Sequence, residues 1–299
     1  MNCVINGKAY EYIPNAMTIE DKRNSYFKFA NEVFGLHFET WFATGCVDSH
    51  YVPYVLMDGD RAVSSVGLCV TDMKWGNQIK RCAQISTVMT DPEYRGRGLN
   101  RWLMEVVLDE WKSKCDMIYL YANDSVINFY PRFGFIKAAE YQSNIGVQYI
   151  QKSHFTSRKL DMTKPENISL LVERFACSNP FASLTMMDNV SLVVFHCTSF
   201  MKNNVYFIDE YNAIVVGKQE GDVFVCYDIF TDEKCTLLDI LGVMVGENIK
   251  SVSFGFTPVP IKNSTTGRLN EEDTTVFVLG DKANLFAEEK VIFPFISRA

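Results

Sequence analysis

Thr90-Asp91-Pro92-Glu93-Tyr94-Arg95-Gly96-Arg97-Gly98-Leu99-Asn100-Arg101 is the stretch on which the reading of this chain turns. An apolar strand candidate, Cys82 to Met89, precedes it. A helix from Leu99 to about Lys114 follows, with Leu99, Leu103, Val106 and Val107 on one face. Strand, glycine turn and helix in that order aim free backbone N–H groups, and the positive end of a helix dipole, at one point. Such a point is an anion site suited to a phosphate or diphosphate. Glycine at 96 and 98 lets the anion reach the backbone and tolerates positive φ. Each N–H on a charged phosphate oxygen contributes about 1.5–3 kcal/mol. Arg95, Arg97 and Arg101 bring guanidinium groups to the same place.

Two familiar phosphate motifs fail here. A P-loop needs Lys and then Ser or Thr after its last glycine, where this chain has Leu99-Asn100. A dinucleotide fingerprint needs a third glycine, where Arg101 stands. An ordinary glycine turn before a surface helix is the plain alternative. A third pattern fits better: Arg/Gln-x-x-Gly-x-Gly/Ala behind a Pro-Glu-Tyr lead-in. On Pro92 to Asn100 the stretch resembles the acyl-CoA turn of the GNAT superfamily of acyl-CoA-dependent N-acetyltransferases, departing from it at Asn100. The segment Asn123-Asp124-Ser125-Val126-Ile127-Asn128-Phe129-Tyr130-Pro131-Arg132-Phe133-Gly134-Phe135 is similar to the next signature of that superfamily. The resemblance covers residues 15 to 145. Tyr130 to Gly134 is also similar to the Eis-like (enhanced intracellular survival) branch, whose members carry further domains.

The resemblance implies roles for named positions. Main-chain groups of Val88 and Thr90 would pair with the pantetheine amides as an added strand, and the amide of Met89 would polarise the thioester carbonyl. Amides of Arg95, Gly96, Arg97, Gly98, Leu99 and Asn100 would hold the diphosphate, and Asn123 the pantetheine arm. Tyr130 would protonate the leaving thiolate, a general-acid step that contributes about 10²–10⁴-fold. Without its flanking pattern Tyr130 would read as a half-buried aromatic, and Pro131 disfavours helical backbone at that residue. Alkyl amines have pKa values near about 10, so the acceptor must lose a proton before attack. Glu32, His37, Glu39 and His50 lie where this family lines its acceptor cleft, and the sequence does not choose among them. In the Eis-like branch the C-terminus reaches the active site, which implies the terminal carboxylate of Ala299 as a further candidate base. Val291 to Ile296 is apolar enough to be held inside, and a last strand of a second domain is the simpler expectation for it.

The remaining chain sets the frame. With 299 residues and 47% hydrophobic content there is material for two domains and a real core. A net charge of −7 argues against a nucleic-acid protein and slightly favours cationic acceptors such as polyamines, aminoglycosides or lysine side chains. The nine cysteines include no CxxC pair and the four histidines no HxxxH or HxH pair. Reduced thiols in a cytoplasmic protein without a metal site are the expectation, and no apolar run is long enough to span a membrane.

The order of elements predicts a helix from Thr18 to Gly35 and a short one over His37 to Ala43. Hairpins follow at Asp58-Gly59-Asp60 and Trp75-Gly76-Asn77, then the glycine turn, its helix, and a parallel strand at Met117 to Tyr121. Asn123 to Phe129 reads as a short helix. The fold class is α+β (α/β): a mixed, mostly antiparallel sheet flanked by helices, as in the GNAT fold, duplicated as two domains. Residues 1–150 would be the acetyltransferase domain, 151–165 a linker and 166–299 a degenerate copy. In the second half Ile168 to Cys177 and Leu237 to Val245 read as helices. Leu192 to Phe195, Val205 to Ile208, Ala213 to Val216, Val223 to Phe230 and Ser251 to Phe256 read as strands, and Lys262 to Thr275 as a polar loop. Where a second glycine turn should stand, Thr231-Asp232-Glu233-Lys234-Cys235 carries acids that would repel phosphate. That half would shape the acceptor cleft or a homo-oligomer contact. The function implied is transfer of an acetyl group from acetyl-CoA, as acyl donor, to an amine by direct attack. A non-catalytic acyl-CoA-binding sensor module is the alternative.

Overall fold

The computed structural model describes residues 1–232 and 234–299. Glu233, one of the acids noted above, lies outside the described residues. The helices are α1 (Glu20–Phe34), α2 (Phe38–Phe42), α3 (Leu99–Trp111), α4 (Pro165–Phe175), α5 (Val190–Thr198), α6 (Leu237–Met244) and α7 (Asn284–Glu289). The strands of the first half are β1 (Asn2–Ile5), β2 (Lys8–Ile13), β3 (Tyr51–Asp58), β4 (Arg61–Trp75), β5 (Gln78–Thr90), β6 (Met117–Ala122), β7 (Phe135–Lys137) and β8 (Tyr141–Gly146). They are followed by β9 (Arg158–Lys159), β10 (Ala182–Met186), β11 (Val205–Ile208), β12 (Ala213–Glu220), β13 (Val223–Phe230), β14 (Ser251–Phe254), β15 (Thr257–Pro258), β16 (Ser264–Arg268) and β17 (Thr275–Leu279).

Two mixed sheets result. The first runs β1-β2-β3-β4-β5-β6-β17-β7, with β10 and then β15 continuing from the long end of β4. The second runs β16-β8-β14-β13-β12-β11-β9. Both are mostly antiparallel. The parallel pairs, β5 with β6 and β13 with β14, each span a crossover helix, α3 or α6. Hairpin, strand, helix, parallel strand is thus laid down twice. The sheets also trade strands along the chain: β8 sits in the second, and β10, β15 and β17 in the first.

Four expected elements come out differently. Leu192 to Phe195 is part of helix α5; its residues from Ser191 to Cys197 are all buried, so no polar face marks the helical period. Part of the polar run after Lys262 is the edge strand β16 on β8. Val291 to Ile296 is not a strand: it threads the core with Phe293 stacked on Tyr119 at 4.1 Å and ends in a 3₁₀ turn at Phe295–Ser297. Asn123 to Phe129 shortens to a 3₁₀ turn at Asp124–Val126. Among the described residues no helix is long and apolar enough to cross a membrane.

The largest core lies between the two sheets, where α1, α2, α4 and α5 pack against Val55, Met57 and Met73 on one side and Val205, Ile214 and Val216 on the other. A second core lies under α3 on the outer face of the first sheet, and a third under α6. The halves are also tied electrostatically. Asp188 accepts hydrogen bonds from Thr71 Oγ1 (3.0 Å) and the amide of Asp72 (2.8 Å), and pairs with His50 Nε2 at 3.1 Å. Asp48 holds the other ring nitrogen of His50 at 2.8 Å. These two carboxylates, Asp188 first, push His50 up to about 10 against the opposing effect of burial.

A raised histidine pKa stabilises the folded state fully below the unfolded value, about 6.5, and the contribution is lost as pH rises through the folded value. His50→Ala is therefore expected to melt lower than the parent at pH 6, with the difference closing toward pH 10. Thermal melts across that range check this.

Candidate active site

The site begins with a defect in the ladder between β4 and β5. Pairing runs regularly from Trp75–Gln78 to Gly67–Ser86, then shifts and resumes at Ser65–Met89 and Ser64–Thr90. Thr87 and Val88 thus oppose the single residue Val66, which is a β-bulge. Thr87 sits at φ 42°. Its Oγ1 is hydrogen-bonded to the hydroxyls of Tyr51 (2.9 Å) and Tyr26 (3.2 Å), which also bond each other, and Ser65 Oγ donates to its carbonyl at 3.0 Å. Gly67 makes room for this cluster, since a Cβ there would stand 2.2 Å from Thr87 Oγ1. On its other side β5 pairs with β6 only from Cys82–Met117 to Ile85–Leu120. Beyond Ile85 the two strands part, and among the described residues no strand covers the 86–90 edge.

At the wide end of this gap stands the glycine turn. Asp91 caps a 3₁₀ turn, Pro92–Tyr94, by accepting from the Glu93 amide at 2.9 Å, and it is ion-paired with Arg61. Gly96 and Gly98 take φ 75° and 78°. Gly98 is the N-cap of α3, and neither a side-chain cap nor an acid in the first turn competes for the helix's leading amides. Asn100 does not crowd them. Its side chain turns in toward the strands, touching Ser64 Oγ at 2.6 Å. With its amide oriented to donate there, it also reaches the carbonyls of Met89 (3.0 Å) and Ser65 (3.3 Å). Two carbonyls within reach of one amide must both lie between β4 and β5. The main chain of Met89 therefore faces β4, while alternation turns Val88 and Thr90 toward the gap.

A groove of about 1250 Å³ runs from this turn into the gap. Every residue named from the sequence as a cofactor contact lines it except Arg97. The Arg97 guanidinium lies over the Tyr94 ring at 4.8 Å and donates to the Glu93 carbonyl at 2.8 Å, so cation–π attraction holds it outside the groove. Arg132 lines the groove in addition to Arg95 and Arg101; it lay unremarked inside the Tyr130 to Gly134 pattern. Asn123 is engaged on arrival, donating to the carboxylate (2.9 Å) and carbonyl (3.2 Å) of Asp273.

Tyr130 opens a 3₁₀ turn, where Pro131 occupies the first turn at no hydrogen-bond cost. Its ring is buried against Phe129, Phe135 and Phe277. The hydroxyl has no hydrogen-bond partner among the described residues. Burial pushes this phenol up to about 12, so it carries its proton at neutral pH.

A second cavity, of about 300 Å³, meets the groove at Phe34, Ser86, Thr87 and Ala299. Helix α2 contributes Phe38 and Trp41, and α5 contributes Leu192, Phe195 and His196. Burial holds His196 down at about 4, in its neutral form, with Nε2 donating to the Arg298 carbonyl at 2.8 Å. Gln84 clamps Ala299, donating to its oxygen (2.7 Å) and accepting from its amide (2.9 Å). The four residues weighed as bases, Glu32, His37, Glu39 and His50, line neither cavity. His196, considered from the sequence only for metal-ligand spacing, follows the run Leu192 to Phe195 expected as a strand, so nothing in the sequence aims it at a cavity. Among the described residues no three His, Cys, Asp or Glu side chains converge as metal ligands would.

Comparison with known proteins follows the same lines. Residues 17–138 match the family model described as acetyltransferase (GNAT) domain. No curated protein matches the chain in sequence. Among solved structures, one from Enterococcus faecalis V583, described as a conserved protein of unknown function and "Probable N-Acyltransferase", superposes with TM-score 0.58 at 15% identity, covering 92% of this chain and 74% of that one. A GCN5-related N-acetyltransferase from Anabaena variabilis gives 0.52 at 14% identity, covering 90% and 72%. Eis1 from Mycobacterium abscessus gives 0.52 at 13%, covering 89% and 72%. At these identities the likeness is one of fold. The glycine turn, the parted strands and the family match over residues 17–138 agree on a fold similar to that of GNAT acetyltransferase domains.

Proposed function

We propose that the protein moves an acetyl group from acetyl-CoA to an amine by direct attack, without a covalent enzyme intermediate. The observation that carries this reading is the meeting of two cavities at the bulge. One is a long groove ending at uncapped helix amides; the other is a small chamber opening on the same residues. The groove suits a linear donor with a diphosphate at one end. The diphosphate would rest on the amides of Arg95 to Asn100, with Arg95, Arg101 and Arg132 around it. The pantetheine arm would lie along the 86–90 edge as an added strand. Because the Met89 main chain is turned to β4, the amide of Val88 is better placed to polarise the thioester carbonyl. Attack by the neutral amine on that carbonyl forms the new C–N bond and the C–S bond breaks; the Tyr130 hydroxyl gives its proton to the departing sulfur, and the proton shed by the acylated nitrogen passes to water, from which the phenolate is reprotonated.

The direct test is release of CoA thiol by the pure protein from acetyl-CoA in the presence of an amine panel. Donor binding without turnover would leave an acyl-CoA-binding module. Tyr130→Phe is expected to lower kcat by about 10²–10⁴-fold while acetyl-CoA affinity, read by calorimetry, stays within a factor of two or so. Unchanged turnover would remove Tyr130 from the reaction. Gly96→Val puts a branched side chain at positive φ beside the anion site and is expected to weaken acetyl-CoA binding by roughly tenfold, about 1.4 kcal/mol, by the same calorimetry.

A further inference from the structure

We infer that the acceptor is a compact, aromatic-bearing primary amine and not a polycation. This rests on the acyl-transfer reading and assigns the small cavity as the seat of the acceptor. The rings of Phe38, Trp41 and Phe195 stand 5.4–5.7 Å apart, centre to centre, and form one wall. Phe34 and Phe200 frame the cavity while remaining 49% and 64% exposed. Large aromatic side chains left in water at the mouth of an apolar chamber mark a ligand contact. The volume, about 300 Å³, is at the small end for ligand pockets, roughly 300–1,000 Å³.

The charges point the same way. Among the described residues no Asp or Glu side chain lines the cavity. Its charged side chain, Arg298, is already matched from outside by Glu140 (2.9 Å) and Glu271 (2.7 Å). A polyamine or aminoglycoside entering here would shed the water around several ammonium groups and find at most the main-chain oxygens of Ala299 to face them. A single amine on an apolar body loses little by comparison. Desolvation in such a chamber also favours the neutral amine, which is the form that attacks. Two buried hydroxyls in the lining, Ser86 Oγ and Ser191 Oγ, have no hydrogen-bond partner among the described residues. Ser86 belongs to both cavities, and its oxygen can accept an N–H from the incoming nitrogen where the thioester would lie. The mild preference for cationic acceptors read from net charge is not reflected in this chamber.

The test compares 2-phenylethylamine with spermidine and kanamycin, by calorimetric binding and by CoA release from acetyl-CoA. The expected result is binding of phenylethylamine at least tenfold tighter than of either polycation, and a kcat/KM at least tenfold higher. Phe200→Glu, at an exposed position that spares the core, is expected to cut the preference for phenylethylamine over spermidine at least fivefold. Equal or tighter binding of spermidine or kanamycin, or a preference untouched by Phe200→Glu, would overturn the inference. Phenylethylamine binding that Phe200→Glu weakens, but without turnover, would uphold the assignment of the chamber and count against the acyl-transfer reading alone.

Discussion

One unfavourable torsion governs the site. Thr87 is β-branched and sits at positive φ, a conformation that costs on the order of 1–3 kcal/mol. Hydrogen bonds from Tyr26, Tyr51 and Ser65 and the space left at Gly67 offset that cost. The return is geometric. The bulge lets β5 release β6 after Ile85, turns the main chain of Val88 and Thr90 into the gap, and places Thr87 where the groove and the small chamber join. A regular strand would have zipped to the end of β6 and left no cleft.

The same device occurs in the second half without the same outcome. Pairing of β12 with β13 also shifts register, between Val216 and Gly217, and β13 leaves β14 after Cys226. Here the helix start is closed by its own side chains: Thr236 and Asp239 form a capping box on α6. Asp232 stands nearby, bound to Arg174 at 2.8 Å. The opening is occupied by the chain itself, since the Phe295 amide donates to the Gly255 carbonyl at 2.7 Å and its ring lies 6.0 Å from Tyr227. The segment that fills one opening then delivers Arg298 and Ala299 to the chamber of the other half.

How much of this was legible follows from what is local. The glycine turn, the Asp58-Gly59 hairpin and the Gly35 helix stop are written in residues whose backbone preferences need no partner. The parallel pairing of β5 and β6 follows from the helix between them. Non-local features left no such mark. The direction of Arg97 depends on the face of Tyr94, and the inward turn of Asn100 depends on Ser64 and Met89 across the bulge. Helix α5 was hidden because a segment buried on all sides loses its period. The candidate bases were misplaced because chain proximity to a cleft does not decide which side chains face it. His50, held between Asp48 and Asp188, stabilises a junction.

The place of β17 between β6 and β7 has a bearing on biosynthesis. Asn123 and Asp273, bonded at this junction, are 150 residues apart in the chain. At ribosomal speeds of about 5–20 residues per second, the outer edge of β6 waits roughly ten to thirty seconds for its neighbour. A bare strand edge recruits other nascent chains during such an interval. The first half thus leaves the ribosome unfinished, and its sheet is completed only when the far half has been translated.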